Sequence, residues 1–184
     1  MTAPQAASQK GPSHGCAAFL RDSKGATAVE FALVAAPFLA LIIALLQTFL
    51  VFFAQELLES VVRQSARLVM TGQVQSQNLS QTAFQQQVCN QVRIFFNCSG
   101  LMVDMRVANA WSTADTSLLT PTYDGNGNVN NMQFNPGTAG DIVVLRVMYI
   151  WPVMLGPLGF NLSNISSGNR LIMASAAFQN EPSS

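Results

Sequence analysis

Between Phe31 and Ala54 the chain reads FALVAAPFLALIIALLQTFLVFFA, with no charged side chain and with Gln47 and Thr48 as its clearly polar positions. A helix over this run is about 36 Å long at about 1.5 Å per residue, enough to cross a hydrocarbon layer of about 30 Å. Core helices of soluble proteins are seldom apolar all round for this length. The run is therefore read as a transmembrane helix over residues 31–54. It is too long for a signal-peptide core of about 7–15 residues, and the bulky Phe52 and Phe53 ahead of Ala54 leave no small-x-small cleavage pattern at its end.

The charges on either side orient the helix. Lys10, Arg21 and Lys24 precede it, whereas the first charges after it are Glu56 and Glu59. The positive-inside rule then keeps the N-terminus in the cytoplasm and exports the remainder. The 184 residues include nine Lys plus Arg and nine Asp plus Glu, and only 10% are charged, against roughly 25% for an ordinary soluble domain. The zero net charge is a sum over two compartments. Up to Gly25, three basic residues against Asp22 give a net of +2, and beyond it six Arg against eight acids give −2. Neither part has the basic face that nucleic-acid binding requires, so no nucleic-acid partner is expected.

Just before the helix the sequence is Arg21-Asp22-Ser23-Lys24-Gly25, followed by Ala26-Thr27-Ala28-Val29-Glu30-Phe31. Glu30 stands at the edge of the apolar run, where a carboxylate needs a partner or a place at the headgroup level. Spacing alone leaves both readings open. Gly25, four further residues, Glu30, an aromatic Phe31 and a long apolar helix together resemble the processing site of type IV-like prepilins, in particular the tight-adherence (Tad/Flp) branch. The chain length and the C-terminal stretch ending Phe178-Gln179-Asn180-Glu181-Pro182 resemble the TadE-like pseudopilins of that system. The resemblance is close over residues 21–55 and loose elsewhere.

It implies a minor pseudopilin, a structural and assembly subunit of a Tad pilus with a pilin-like fold and no enzymatic activity. It also implies that a membrane aspartyl prepilin peptidase cuts after Gly25 on the cytoplasmic side, leaving Ala26 as the new N-terminus. The implied partners are that peptidase, other pilins and pseudopilins, the pilus assembly platform and the bacterial inner membrane. Glu30, beside Phe31, is implied in subunit pairing, its carboxylate meeting the N-terminal amine of a neighbouring subunit. Such a pair gains strength in a low dielectric but pays much of it back in desolvation, so it acts best as a register device. The expected division is a cytoplasmic leader over 1–25, a helical spine over 26–72 and a periplasmic α+β head over 73–184. A second reading, from a different class, is an uncleaved membrane-anchored periplasmic scaffold or binding module.

Pro37 removes a backbone hydrogen bond inside the apolar helix, which predicts a kink near Ala35-Ala36 or simply a tolerated membrane proline. Beyond the membrane, Leu57, Leu58, Val61, Val62, Ser65, Leu68 and Val69 recur at helical intervals, extending one spine from about Thr27 to Thr71, with Gly72 as its stop. Glu59 and Arg63 belong to its solvated face. A polar joint over Gln73–Ser80 leads to a second helix over Gln81–Phe95, with Ala83, Phe84, Val88, Val92 and Phe95 on one stripe. Leu101, Val103, Met105 and Val107 alternate with Met102, Asp104, Arg106 and Ala108 as a half-buried strand. Further strands are expected over Asp141–Ile150 and Leu171–Phe178, giving an α+β fold with a mostly antiparallel sheet.

Cys16 falls in the expected leader, whereas Cys89 and Cys98 fall in the exported part, where disulfides form. On one unbroken helix they would lie about 13 Å apart on opposite faces, so a bridge requires the helix to end near Phe96. Closing that loop would contribute about 2–3 kcal/mol. The Asp124–Asn131 stretch suggests calcium by its oxygen-bearing side chains, but Val129 and Asn135 occupy the positions where a calcium loop needs Gly and Glu, so a Gly/Asn turn is expected. Asn-x-Ser triplets at Asn78, Asn97, Asn161 and Asn164 read as polar loop composition in the bacterial setting that the resemblance implies. The apolar loop over residues 151–160 packs on the spine or touches another pilus component. His14, the one histidine, lies in the leader, and Asp104, Asp115, Asp124 and Asp141 are isolated in sequence. No catalytic group, cofactor or metal set is expected from this pattern.

Overall fold

A computed structural model describes residues 23–154, 156 and 159–182. His14, Cys16, Arg21 and the rest of the expected leader up to Asp22 lie outside the described residues, as do Leu155, Pro157 and Leu158 of the apolar loop. Helix α1 runs from Ser23 to Met70 with Pro37 inside it. It starts one turn ahead of the expected Thr27 and takes in Gly25, although glycine costs about 1 kcal/mol in a helix. At its end, the N–H of Thr71 donates to the Arg67 carbonyl and that of Gly72 to the Val69 carbonyl, both at 3.0 Å. Gly72 has φ +74, the left-handed conformation that glycine adopts without a Cβ penalty, and it turns the chain out of the helix.

The chain divides into two compact units between Ile43 and Ala44. In the first, the apolar side chains of α1 point outward: Val29, Phe31, Leu33, Val34 and Phe38 are all more than half exposed. A helix this apolar and this bare suggests a membrane anchor, and among the described residues it is the one helix long and apolar enough to cross a bilayer.

In the second unit α1 buries Val51, Ala54, Leu58, Val61, Val62, Ser65, Ala66 and Val69, a ridge with three- and four-residue spacing. A single-turn helix, α2 (Gln73–Ser76), occupies part of the expected polar joint and is anchored by buried Val74. Helix α3 (Gln81–Val92) starts at Ser80, whose hydroxyl accepts from the Ala83 N–H at 3.2 Å, and buries Phe84, Val88, Cys89 and Val92. It stops three residues before the expected Phe95. The N–H groups of Phe95 and Phe96 both turn back to the Val92 carbonyl, which brings Cys98 to a Cα–Cα distance of 5.5 Å from Cys89 for their disulfide.

Strands β1 (Leu101–Ala108), β2 (Ile142–Trp151) and β3 (Arg170–Gln179) form an antiparallel sheet in the order β1-β2-β3. Register places Val103, Val147 and Ala174 in one row and Met105, Leu145 and Ala176 in the next. This face closes the core on α1 and α3. Burying each of its large side chains contributes about 1.5–3 kcal/mol. The fold is α+β, as the patterning predicts, with the pilin-like layout that the resemblance implies.

The opposite face departs from the expectation of a half-buried strand. Asp104 is fully buried and Arg146 nearly so, because the long connection 109–141 lies over them. That connection is tied down by the Ser175 hydroxyl donating to the Thr116 carbonyl and by a bridge at Met105, whose N–H donates to the Gln133 carbonyl at 2.8 Å and whose carbonyl accepts from the Asn135 N–H at 2.9 Å.

Candidate functional site

Gly25, Ala26, Glu30 and Phe31 all lie in the first turns of α1. Gly25 is exposed, and nothing among the described residues lies within 4 Å of where its Cβ would be. Packing therefore gives no reason for glycine at this position. Ala26 and Glu30 are one helical turn apart, so the backbone nitrogen of Ala26 and the Glu30 side chain share a face. Glu30 is exposed, and Phe31 is 75% exposed. Pro37 stands in the same helix, nearly two turns further on.

The head offers two clusters of polar side chains. In the first, Asp104 Oδ1 accepts from Arg106 Nε at 2.9 Å and from the Gln133 N–H at 2.9 Å, while Oδ2 accepts from Arg106 Nε at 3.0 Å and Arg146 Nη1 at 2.8 Å. Arg146 Nη2 donates to the Asp115 carbonyl and stands 3.4 Å from its carboxylate, and Arg106 Nη2 reaches the Asn131 carbonyl at 2.7 Å. With both oxygens of Asp104 engaged and the guanidinium groups committed to the covering loop, the cluster clamps residues 115–133 onto the sheet. It is arranged for holding, not for proton transfer.

The exposed carboxylates of the same connection are held by local donors. Hydrogen bonds from Ser117, assisted by the charges of Arg146 and Arg106, lower the pKa of Asp115 below its ordinary 3.8. Donors at Asn128 and Asn126 do the same for Asp124, and the N–H and hydroxyl of Thr138 for Asp141. Around Asp124 these bonds close a tight turn with Gly127 at φ +82, flanked by the Tyr123–Val129 bridge. Among the described residues no group of His, Cys, Asp or Glu is arranged to hold a metal ion.

The second cluster lines an open cleft of about 700 Å³ beside the end of α1, between Met70, Gly72, Gln75, Gly137, Asn180 and Glu181. Asn180 is buried, and its amide donates to the Pro136 and Thr138 carbonyls at 2.9 and 3.0 Å. Its Oδ1, like Gln75 Oε1, has no partner among the described residues. Thr71, Ser76 and Thr138 add hydroxyl groups to its lining.

Sequence reading brought Cys89 and Cys98 together but left Asp104 and Asp115 isolated, whereas both meet Arg146. The available signal was the alternation in β1, which puts Asp104 and Arg106 on one face. The third member needed the β1–β2 register, in which Asp104 lies opposite Arg146.

No curated protein and no solved structure matches the chain. A protein-family model does, and its match begins at Gly25 and ends at Arg67, leaving the α3 and sheet portion outside it. Residues 25–67, the glycine–glutamate motif and the helix behind it, match the model of the TadE-like protein family.

Proposed function

We propose that this protein is a minor pseudopilin of a Tad pilus: a structural subunit inserted with its N-terminus in the cytoplasm, trimmed after Gly25 by a prepilin peptidase and then joined to other pilins and the assembly platform. The observation that carries the reading is Gly25 itself. It is a helix-weakening residue in the first turn of α1, with no packing contact among the described residues and no positive φ to account for it. A peptidase needs an extended scissile bond, and a glycine in a terminal turn makes local fraying cheap. The match to TadE-like proteins starts at this residue, which supports the same reading.

Cleavage would leave the Ala26 amine one turn from Glu30, at the head of a bare apolar helix. In an assembly of such helices, an unpaired charge in the apolar layer is costly, so amine and carboxylate favour the one register in which they meet. The test is N-terminal sequencing with intact mass on protein recovered from membranes carrying the peptidase. A chain beginning at Ala26 supports the proposal. A chain that retains its leader in the presence of active peptidase overturns it in favour of an uncleaved membrane-anchored scaffold or binding module.

A further inference from the structure

The underside of the head carries exposed apolar side chains that its own core leaves unused. Ile94 is 87% exposed, Met154 74% and Phe95 47%. Phe95 and Met154 stand beside the last turns of the apolar run, and Ile94 is the neighbour of Phe95 in the chain. The Phe95 ring packs edge-on against Phe53 of α1 at 5.2 Å, and Phe53 stacks on Phe49 at 5.8 Å. A small apolar cavity of about 170 Å³ is lined by Leu50 and Val51 of α1, by Trp151 at the end of β2 and by Pro152 and Met154 just after it. The head therefore reaches down beside positions 50–53, which the sequence assigns to the membrane.

Length points the same way. The run over residues 31–54 spans about 36 Å, about one helical turn more than a hydrocarbon layer of about 30 Å requires. The surplus turn is the one flanked by the head. The residues around it are those that favour a membrane–water boundary: Trp151, Tyr149 and Phe96 form a ring cluster with centroids 4.9–6.3 Å apart, and Arg93 is exposed next to Ile94.

We propose that this underside is a lipid-contacting surface, with Ile94, Phe95 and Met154 seated in the outer headgroup–acyl boundary of the bilayer that α1 crosses. The inference rests on reading α1 as a membrane anchor. It extends that reading from a helix that tethers a free head to a head docked on the bilayer. Side chains of this kind reach about 5–10 Å into the boundary, comparable to the surplus turn. The occupant is lipid because the patch is continuous with the exposed Phe49, Leu50 and Phe52 of the anchor itself.

The test uses the full chain in phosphatidylcholine–phosphatidylglycerol vesicles, with Cys16→Ser removing the other thiol and the Cys89–Cys98 bridge left intact. An environment-sensitive fluorophore is placed at Ile94→Cys or Met154→Cys, and at Leu118→Cys as an exposed control. Flotation with the vesicles, a severalfold loss of quenching by aqueous iodide at 94 and 154 relative to 118, and quenching by headgroup-proximal nitroxide lipids, all unchanged on dilution with excess lipid, support the proposal. Flotation with full iodide access at 94 and 154 overturns it and leaves the anchor standing. Shielding that disappears on dilution overturns it by making a second copy of the chain the occupant. Failure to float overturns the anchor reading and the proposal together.

Discussion

Replacing Asp104 by Ala removes the acceptor for three donors at once, the Arg106 Nε, the Arg146 Nη1 and the Gln133 N–H. Arg146 is 4% exposed and would keep only the largely exposed Asp115 as a charge partner, a change that costs up to about 3–5 kcal/mol. Asp104→Asn keeps an oxygen for the Gln133 N–H and should cost less. Urea unfolding of the detergent-solubilised chain measures both, and equal midpoints for wild type and Asp104→Ala would show that the clamp contributes nothing. Acid should loosen the same covering loop by a different route. Asp115, Asp124 and Asp141 have lowered pKa values because their charged forms accept local hydrogen bonds. Just below pH 3.8 the unfolded loop binds more protons than the folded one, so the stability these groups add is present above that pH and fades as pH falls through their folded values. Amide protection over residues 115–141, taken relative to the intrinsic exchange rate at each pH, should therefore fall between pH 6 and pH 3, ahead of the core strands. At this scale the sequence was uneven to read. The cysteine pair is nine residues apart and its geometry follows from where a helix ends. The Asp104–Arg146 pair is separated by forty-two positions and exists only once β1 and β2 have found their register.

Among the elements, the long helix and the three strands follow from periodicity because each has an apolar repeat of its own. The ends of β1 stay in place and the others move by one to four residues, where hydrogen bonding and not hydrophobic pattern decides. Two features had no such repeat. Helix α2 has four residues and one apolar side chain, Val74, too short for any period to register. The Phe134 strap pairs with the free edge of β1 across a long connection, and its ring meets Phe84 at 5.7 Å. The end of α3 is the most informative boundary. Phe95 continues the apolar stripe and argues for a longer helix, yet the chain turns at Val92, and Phe96, not Phe95, enters the core. The disulfide from Cys89 to Cys98 locks this turn. Its removal by Cys89→Ser with Cys98→Ser should lower stability by about 2–3 kcal/mol, the value for closing a short loop. Denaturant midpoints of the oxidised and doubly substituted chains decide this, and coincidence of the two would mean that the turn holds without its bridge.

Over the whole molecule, the distribution of amines turns the processing proposal into a countable quantity. Both lysines, Lys10 and Lys24, precede Gly25, and every basic side chain from Ala26 onward is an arginine. A chain cut after Gly25 therefore carries one primary amine, the α-amine of Ala26, on the same helical face as Glu30. An amine-reactive probe should label the processed chain once, at Ala26, when it is dispersed in detergent. In assembled material that amine should be protected if it is buried against a carboxylate, because reaction requires the free, deprotonated amine and an ion pair in a low dielectric keeps it charged. Glu30→Gln keeps the shape and removes the charge, so it should restore labelling severalfold in whatever assembly still forms and reduce incorporation more than membrane insertion. Labelled Lys10 or Lys24 in assembled material would mean that the leader stays on. An assembled Ala26 amine that reacts equally in wild type and Glu30→Gln would remove the pairing role while leaving the cleavage intact.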